Sequence, residues 1–166
     1  MSLTPITTSR LQGLAGNRGK TLTVTDPNGN VVVEAMERQA DDRVEMVLDT
    51  AGGRWRVEQA VSSGSEITVL DSAGNAVAIS SRGKVVLADG EVLSWERRNL
   101  PARYRLGDLW VAKGSWRSKR RFSAELSEAM LARDDKSMLV GIASLLTQHA
   151  VLRRRQLLGA AAGAGG

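Results

Sequence analysis

A chain of 166 residues suits a single domain able to bury roughly two-thirds of its unfolded surface. It holds no cysteine, which excludes disulfide staples and thiol nucleophiles, and its 42% hydrophobic and 25% charged residues are ordinary for a globular protein. The net charge of +5 is unevenly divided: residues 1–90 carry 9 Lys/Arg against 11 Asp/Glu, and residues 91–166 carry 14 against 7, a balance that fits either an anionic partner or plain solubility.

The first 19 residues are read as an irregular N-terminal segment. Met1-Ser2-Leu3-Thr4-Pro5 lacks a basic region followed by an apolar run, so no secretory leader is expected. From residue 20 a turn pattern recurs: Asp26-Pro27-Asn28-Gly29-Asn30, Asp49-Thr50-Ala51-Gly52-Gly53, Asp71-Ser72-Ala73-Gly74-Asn75 and the shorter Ala88-Asp89-Gly90-Glu91. Asp accepts hydrogen bonds from backbone two residues on, and Gly supplies a positive φ without steric cost. Short β-type runs flank each turn: 21–25 and 31–35, 43–48 and 54–59, 66–70 and 76–80, 84–87 and 92–96. Trp55 and Val57 alternate with Arg54, Arg56 and Glu58, as a half-buried strand requires. Residues 103–106, 109–113 and 121–126 extend the series. The fold expected is mainly β, a closed antiparallel barrel of about 10–12 strands in which no edge is left exposed.

The periodicity then changes. Asp134-Asp135 offers a helix start, residues 137–152 are apolar nearly all round, and Arg153-Arg154-Arg155 suits the negative end of the helix dipole. A helix over residues 135–156 is expected to be surrounded on every side, as the core of the barrel. The alternative is a C-terminal membrane anchor, although a span requires about 20 mainly apolar residues. The domain is bounded at 20–156, and residues 157–166, rich in Gly and Ala, are expected to be disordered.

Catalytic chemistry is poorly supplied. His149 is the single histidine and lies in the apolar helix, where a structural role fits better than general-base work. No Gly-x-Ser-x-Gly or phosphate-loop motif is present, and the run 13–19 is glycine-rich without a helix to follow it. An EF-hand reading of the Asp26 turn fails because the twelfth position, Glu37, falls in a strand and the other turns lack ligands. No enzyme, cofactor or metal is expected.

The candidate binding residues are Lys113, Arg117, Lys119, Arg120 and Arg121, close in sequence and interleaved with Trp110 and Trp116. If 109–113 pairs with 121–126, these cations gather at one connecting loop. Each cation near an anionic lipid surface contributes about 1 kcal/mol, and Trp favours the interface. The bland alternative is a solvated loop with its tryptophans in the core. A nucleic-acid platform is disfavoured, because stacking needs exposed aromatics and the chain has one Tyr and one Phe.

The hairpin turns at Asp49–Gly53 and Asp71–Asn75, the run Arg120-Arg121-Phe122-Ser123-Ala124-Glu125-Leu126, and the closing Ala132-Arg133-Asp134-Asp135-Lys136-Ser137-Met138-Leu139-Val140-Gly141-Ile142-Ala143 resemble the tubby C-terminal-like superfamily. That group includes tubby domains, LURP-one-related proteins and phospholipid scramblases. The resemblance covers residues 20–156 and implies a barrel of about twelve strands threaded by a helix. It also implies an association with membrane lipids. The scramblase-type calcium segment and palmitoylated cysteine cluster are absent from the chain. The expectation is a non-enzymatic, cytoplasmic domain, peripheral to a membrane, that binds anionic phospholipid head groups or another phosphorylated ligand through the basic loop. The alternatives are a structural or protein-interaction module and a fragment of a secreted β-repeat shell, whose repeats each need a Tyr where this chain offers only Tyr104.

Overall fold

Side chains alternate between buried and exposed along nearly every strand, and that alternation gives the sheet one apolar face to wrap around. The computed structural model describes residues 2–16, 20–38, 40–41, 43–60, 66–98, 103–113 and 121–147. Among them lie twelve strands: β1 (Arg10–Ala15), β2 (Thr21–Thr25), β3 (Val31–Arg38), β4 (Arg43–Thr50), β5 (Gly53–Ala60), β6 (Ile67–Leu70), β7 (Ala76–Ser81), β8 (Lys84–Leu87), β9 (Val92–Arg98), β10 (Arg103–Leu106), β11 (Leu109–Lys113) and β12 (Arg121–Leu126). Each pairs antiparallel with its neighbours in sequence, and β1 pairs with β12 to close the barrel.

The closing strand is a correction to the sequence reading. Residues 1–19 are not irregular throughout: β1 bonds to β12 on one side and β2 on the other. Further upstream, Thr4 N donates to Val31 O at 2.9 Å and Ile6 is buried, so the domain begins well before residue 20. The strand is hard to see in sequence because its inward positions are Leu11, Gly13 and Ala15, while the apolar Leu14 is half-exposed on the outside. Gly13 has a packing reason. It stands opposite Phe122 in register, and the Phe122 ring occupies the place a Cβ on Gly13 would take.

The recurring turns form as their chemistry dictates in three of four cases. Asp26 Oδ1 accepts from Asn28 N and Asn30 N, each at 2.9 Å, and Asp71 Oδ1 accepts from Ala73 N and Asn75 N at the same distance. Asp89 Oδ1 accepts from Glu91 N. Gly29, Gly74 and Gly90 occupy the left-handed region that these turns need. The second turn differs. Asp49 lies within β4 and pairs across the ladder with Arg54, while Thr50 Oγ1 accepts the Gly52 N–H at 3.0 Å.

Inside the barrel, Val24, Val33, Leu48, Val85, Leu106, Leu109 and Val111 are fully enclosed. A short helix, α1 (Glu128–Leu131), follows β12, capped by Ser127, whose Oγ accepts from Met130 N at 3.1 Å. It is not visible in the sequence pattern, because four residues are too few for a periodicity. A second helical run occupies 136–147. Its Met138, Leu139, Val140, Ile142, Ala143 and Leu145 are buried in the same core as the strands. Ser144 and Thr147, also buried, donate to the carbonyls of Val140 and Ala143, so both hydroxyls have partners. At Gly141 the run passes close to β4: a Cβ would lie 2.5 Å from Leu48 Cδ1. The remainder of the expected helix, 148–156, and the Gly/Ala tail lie outside the described residues, as does His149.

Candidate functional site

An up-and-down barrel sends alternate connections to opposite ends. The connections β2–β3, β4–β5, β6–β7, β8–β9 and β10–β11 share one end with the start of the helical segment; β1–β2, β3–β4, β5–β6, β7–β8, β9–β10 and β11–β12 share the other.

The predicted basic loop belongs to the second end. Strands β11 and β12 pair as anticipated, with Lys113 opposite Phe122 and Ala112 opposite Ser123, so Lys113 and Arg121 occupy adjoining strand ends. Arg121 is exposed. Arg117, Lys119 and Arg120, with Trp116, lie outside the described residues. Trp110 is not part of this group. It sits partly buried on the outer wall, opposite Glu125 in register, with the Arg105 guanidinium 5.4 Å from its ring centroid.

The same end carries cations that a search for clusters in sequence misses. Arg82 forms the β7–β8 turn with Gly83, Lys84 opens β8, Arg97 lies one residue from the end of β9, and Arg103 opens β10; all are exposed. Their sequence separation hides them. What could reveal them is the hairpin count, which assigns every second connection to one end. Arg97 stands on the inward-facing side of its strand, with its guanidinium 5.9 Å from the Tyr104 ring, itself stacked on Trp95 at 5.3 Å. Among the described residues none of Arg82, Lys84, Arg97, Arg103 and Arg121 forms an ion pair.

Arg82 is also, among the described residues, the non-glycine residue found at positive φ, 51°, followed by Gly83 at 79°. That is the two-residue hairpin turn whose first position favours Asn, Asp or Gly, and an arginine there costs about 1 kcal/mol. The turn is tied to the next strand by Trp95 N, which donates to Gly83 O at 2.8 Å.

Several other charges are engaged with one another. Arg54 pairs with Asp49, Arg105 with Asp108, and Arg133 with both Glu91 and Asp135, at 2.7 and 2.8 Å. The Glu91 carboxylate takes two guanidinium hydrogens, through Nη1 and Nη2 of Arg133. That bond holds Glu91 below its usual carboxylate range and Arg133 above its usual value. Asp26 is lowered chiefly by the Asn30 side chain and Asp71 chiefly by the Asn75 backbone N–H. On the outer wall, Glu45 and Glu58 face each other across β4 and β5, and Arg43 bridges them at 3.2 and 3.4 Å, with Arg38 and Arg56 flanking. These carboxylates are bound into the fold, and no group of three or more His, Cys, Asp or Glu able to hold a metal occurs among the described residues. No helix among the described residues is long and apolar enough to cross a membrane. Compared with protein-family models, with curated proteins and with solved structures, the chain finds no match.

Proposed function

We propose that the chain is a tubby-like, non-enzymatic binding domain that recognises anionic phospholipid head groups through the loop containing Lys113, Arg117, Lys119, Arg120 and Arg121. The observation that carries the reading is the β11–β12 register, which brings Lys113 and Arg121 to adjoining strand ends at one end of the barrel, with Arg121 exposed. A basic side chain with no internal counter-ion is available to an external anion at no cost in internal pairing. The family assignment rests on architecture alone, a closed twelve-stranded barrel followed by a helical C-terminal run, and is an analogy of fold. In this reading the helix from residue 135 fills the barrel lumen along its length. The six buried apolar side chains between Met138 and Leu145 support that role. Anionic lipids give the cytoplasmic leaflet its negative potential, so the domain acts there, peripheral to the membrane.

The test is sedimentation with phosphatidylcholine vesicles, alone and mixed with phosphatidylserine. The protein should bind the anionic vesicles and be released as salt rises, because the screening length falls from about 8 Å at 0.15 M to about 3 Å at 1 M. Arg120→Glu with Arg121→Glu should abolish binding and leave the melting temperature unchanged. Equal binding to neutral and anionic vesicles, or binding to neither, overturns the proposal.

A further inference from the structure

We infer that the outer wall of the barrel carries a self-association surface, the cross-strand row Ile79–Val86–Val92, and that it takes a second copy of this chain about a two-fold axis lying along the row. The inference is independent of the anion-binding reading above.

Register makes the row. Ile79 on β7 stands opposite Val86 on β8, and Val86 stands opposite Val92 on β9. All three face outward, since Ala78, Val85, Leu87 and Leu93 take the buried positions of the same strands. Ile79 is 39% exposed and Val92 57%, with Val86 half-buried between them. On β6 the half-buried Leu70, opposite the exposed Ala76, extends the patch. Side chains directly opposed on adjacent strands lie about 5 Å apart, so these form one apolar surface. A single exposed aliphatic is ordinary, and a contiguous group is what calls for a partner. Leu14 and Met36 are of the ordinary kind. Leu14 stands between Thr23 and Arg121, and Met36 lies between Glu34 and Arg38 on the outer face of β3. The sheet is closed, so a partner here packs against a face and cannot add a strand.

The flanking charges choose the partner and the axis. Along β8 and its following turn, Lys84 lies two residues to one side of Val86 and Asp89 three residues to the other. Both are exposed, and neither forms an ion pair among the described residues. The other bordering acids sit off this line or are engaged: Glu66 precedes β6, Glu96 faces Arg105 across the β9–β10 ladder, and Glu91 is held by Arg133. Two sheets packed face to face can be related by a two-fold axis running between them along the strands or across them. An axis along the strands sets Lys84 on Lys84 and Asp89 on Asp89. An axis along the row makes the two sets of strands antiparallel. Each row residue then meets its own copy, and Lys84 of either copy meets Asp89 of the other. At about 3.3 Å per residue, Lys84 lies roughly 7 Å from that axis and Asp89 roughly 10 Å on the opposite side. The patch is complementary to itself, as an isologous interface requires.

Its size sets the strength. Two convex walls touch over about three strands each, roughly 14 Å by 20 Å, against about 800 Å² per partner in a standard stable interface. The dimer is therefore weak and concentration-dependent.

Sedimentation velocity of the full-length protein from about 5 to about 500 µM brackets such an association. The mass should climb from 17.8 kDa toward twice that value. Val86→Glu sets two carboxylates against each other on the axis and should weaken association on the order of a hundredfold. Val92→Glu, further along the row, should do the same and serves if the first variant fails to fold, as its melting temperature will show. Lys84→Asp and Asp89→Lys each bring like charges together and should weaken association about tenfold. An equimolar mixture of these two should recover it, because every altered charge then meets its opposite. A protein that stays at 17.8 kDa throughout overturns the inference, as does a dimer that both row variants leave intact. Folded charge variants that fail to recover on mixing overturn the two-fold arrangement. A monomer whose binding to phosphatidylserine vesicles is lost in Val86→Glu overturns the second copy as occupant and gives the row to the membrane.

Discussion

The close pass of the helix over β4 allows a sharp test of how the barrel is filled. Replacing Gly141 by Val puts three carbons where Leu48 Cδ1, Cδ2 and Cγ already lie within 3.0 Å of a Cβ. Leu48 is fully enclosed, so its tips cannot swing out into solvent. Overpacking of this kind costs about 1–3 kcal/mol, offset by a few tenths because Val is a better helix former than Gly. Leu48→Ala alone leaves a cavity and costs about 2–5 kcal/mol. Combined, the new Val fills the space the leucine vacated, and the double variant should recover about 1–3 kcal/mol relative to the sum of the two singles. Urea unfolding followed by far-ultraviolet circular dichroism gives each free energy by linear extrapolation. If the double variant equals the sum within about 0.5 kcal/mol, the two residues are not in contact, and the argument for a helix packed on the inner face of β4 fails.

Truncation after Arg133 removes the six buried apolar side chains from Met138 to Leu145 and should leave an unfolded or aggregating chain, read as loss of a cooperative melt; a soluble, cooperatively melting product would refute the core role. Gly13→Ala should destabilise by about 1–3 kcal/mol, because Phe122 fills the Cβ site, and Phe122→Leu should relieve part of that loss in chemical denaturation. Asp26, Asp71 and Glu91 have folded-state pKa values below their ordinary 3.8, 3.8 and 4.5, so the stability they contribute is present above those values and lost as pH falls through the lowered ones. The melting temperature should therefore drop on acidification below about pH 4.5, with Glu91→Gln removing the part of the slope that belongs to the Arg133 pair; an unchanged slope would show that this pair has no role in acid unfolding.

Eleven of the strands were legible because their turns announce themselves. Asp two residues before an amide that needs an acceptor, and Gly where φ must be positive, are local demands that a chain states in its own letters, as at Asp26 and Asp71. β1 was not legible, since its inward positions are a leucine, a glycine and an alanine, and the reason for the glycine is Phe122, more than a hundred residues away. Arg133 is similar: nothing near it in sequence points to its partner Glu91, which lies 42 residues away in the β8–β9 connection. The candidate site divides the same way. Lys113 and Arg121 could be joined by anticipating one hairpin, whereas adding Arg82 and Arg103 requires knowing that the whole sheet is a meander.

The pairing of β1 with β12 also sets a timetable for the growing polypeptide. All eleven sequence-adjacent hairpins can zip as they emerge, each from residues only a short loop apart, but the β1–β12 seam stays open until Leu126 has been made. Until then the ribbon has two raw margins, and its greasy side waits for residues 136–147, which arrive after the last strand. Until those residues have been made, a nascent chain of this design is an open, sticky sheet exposed to aggregation.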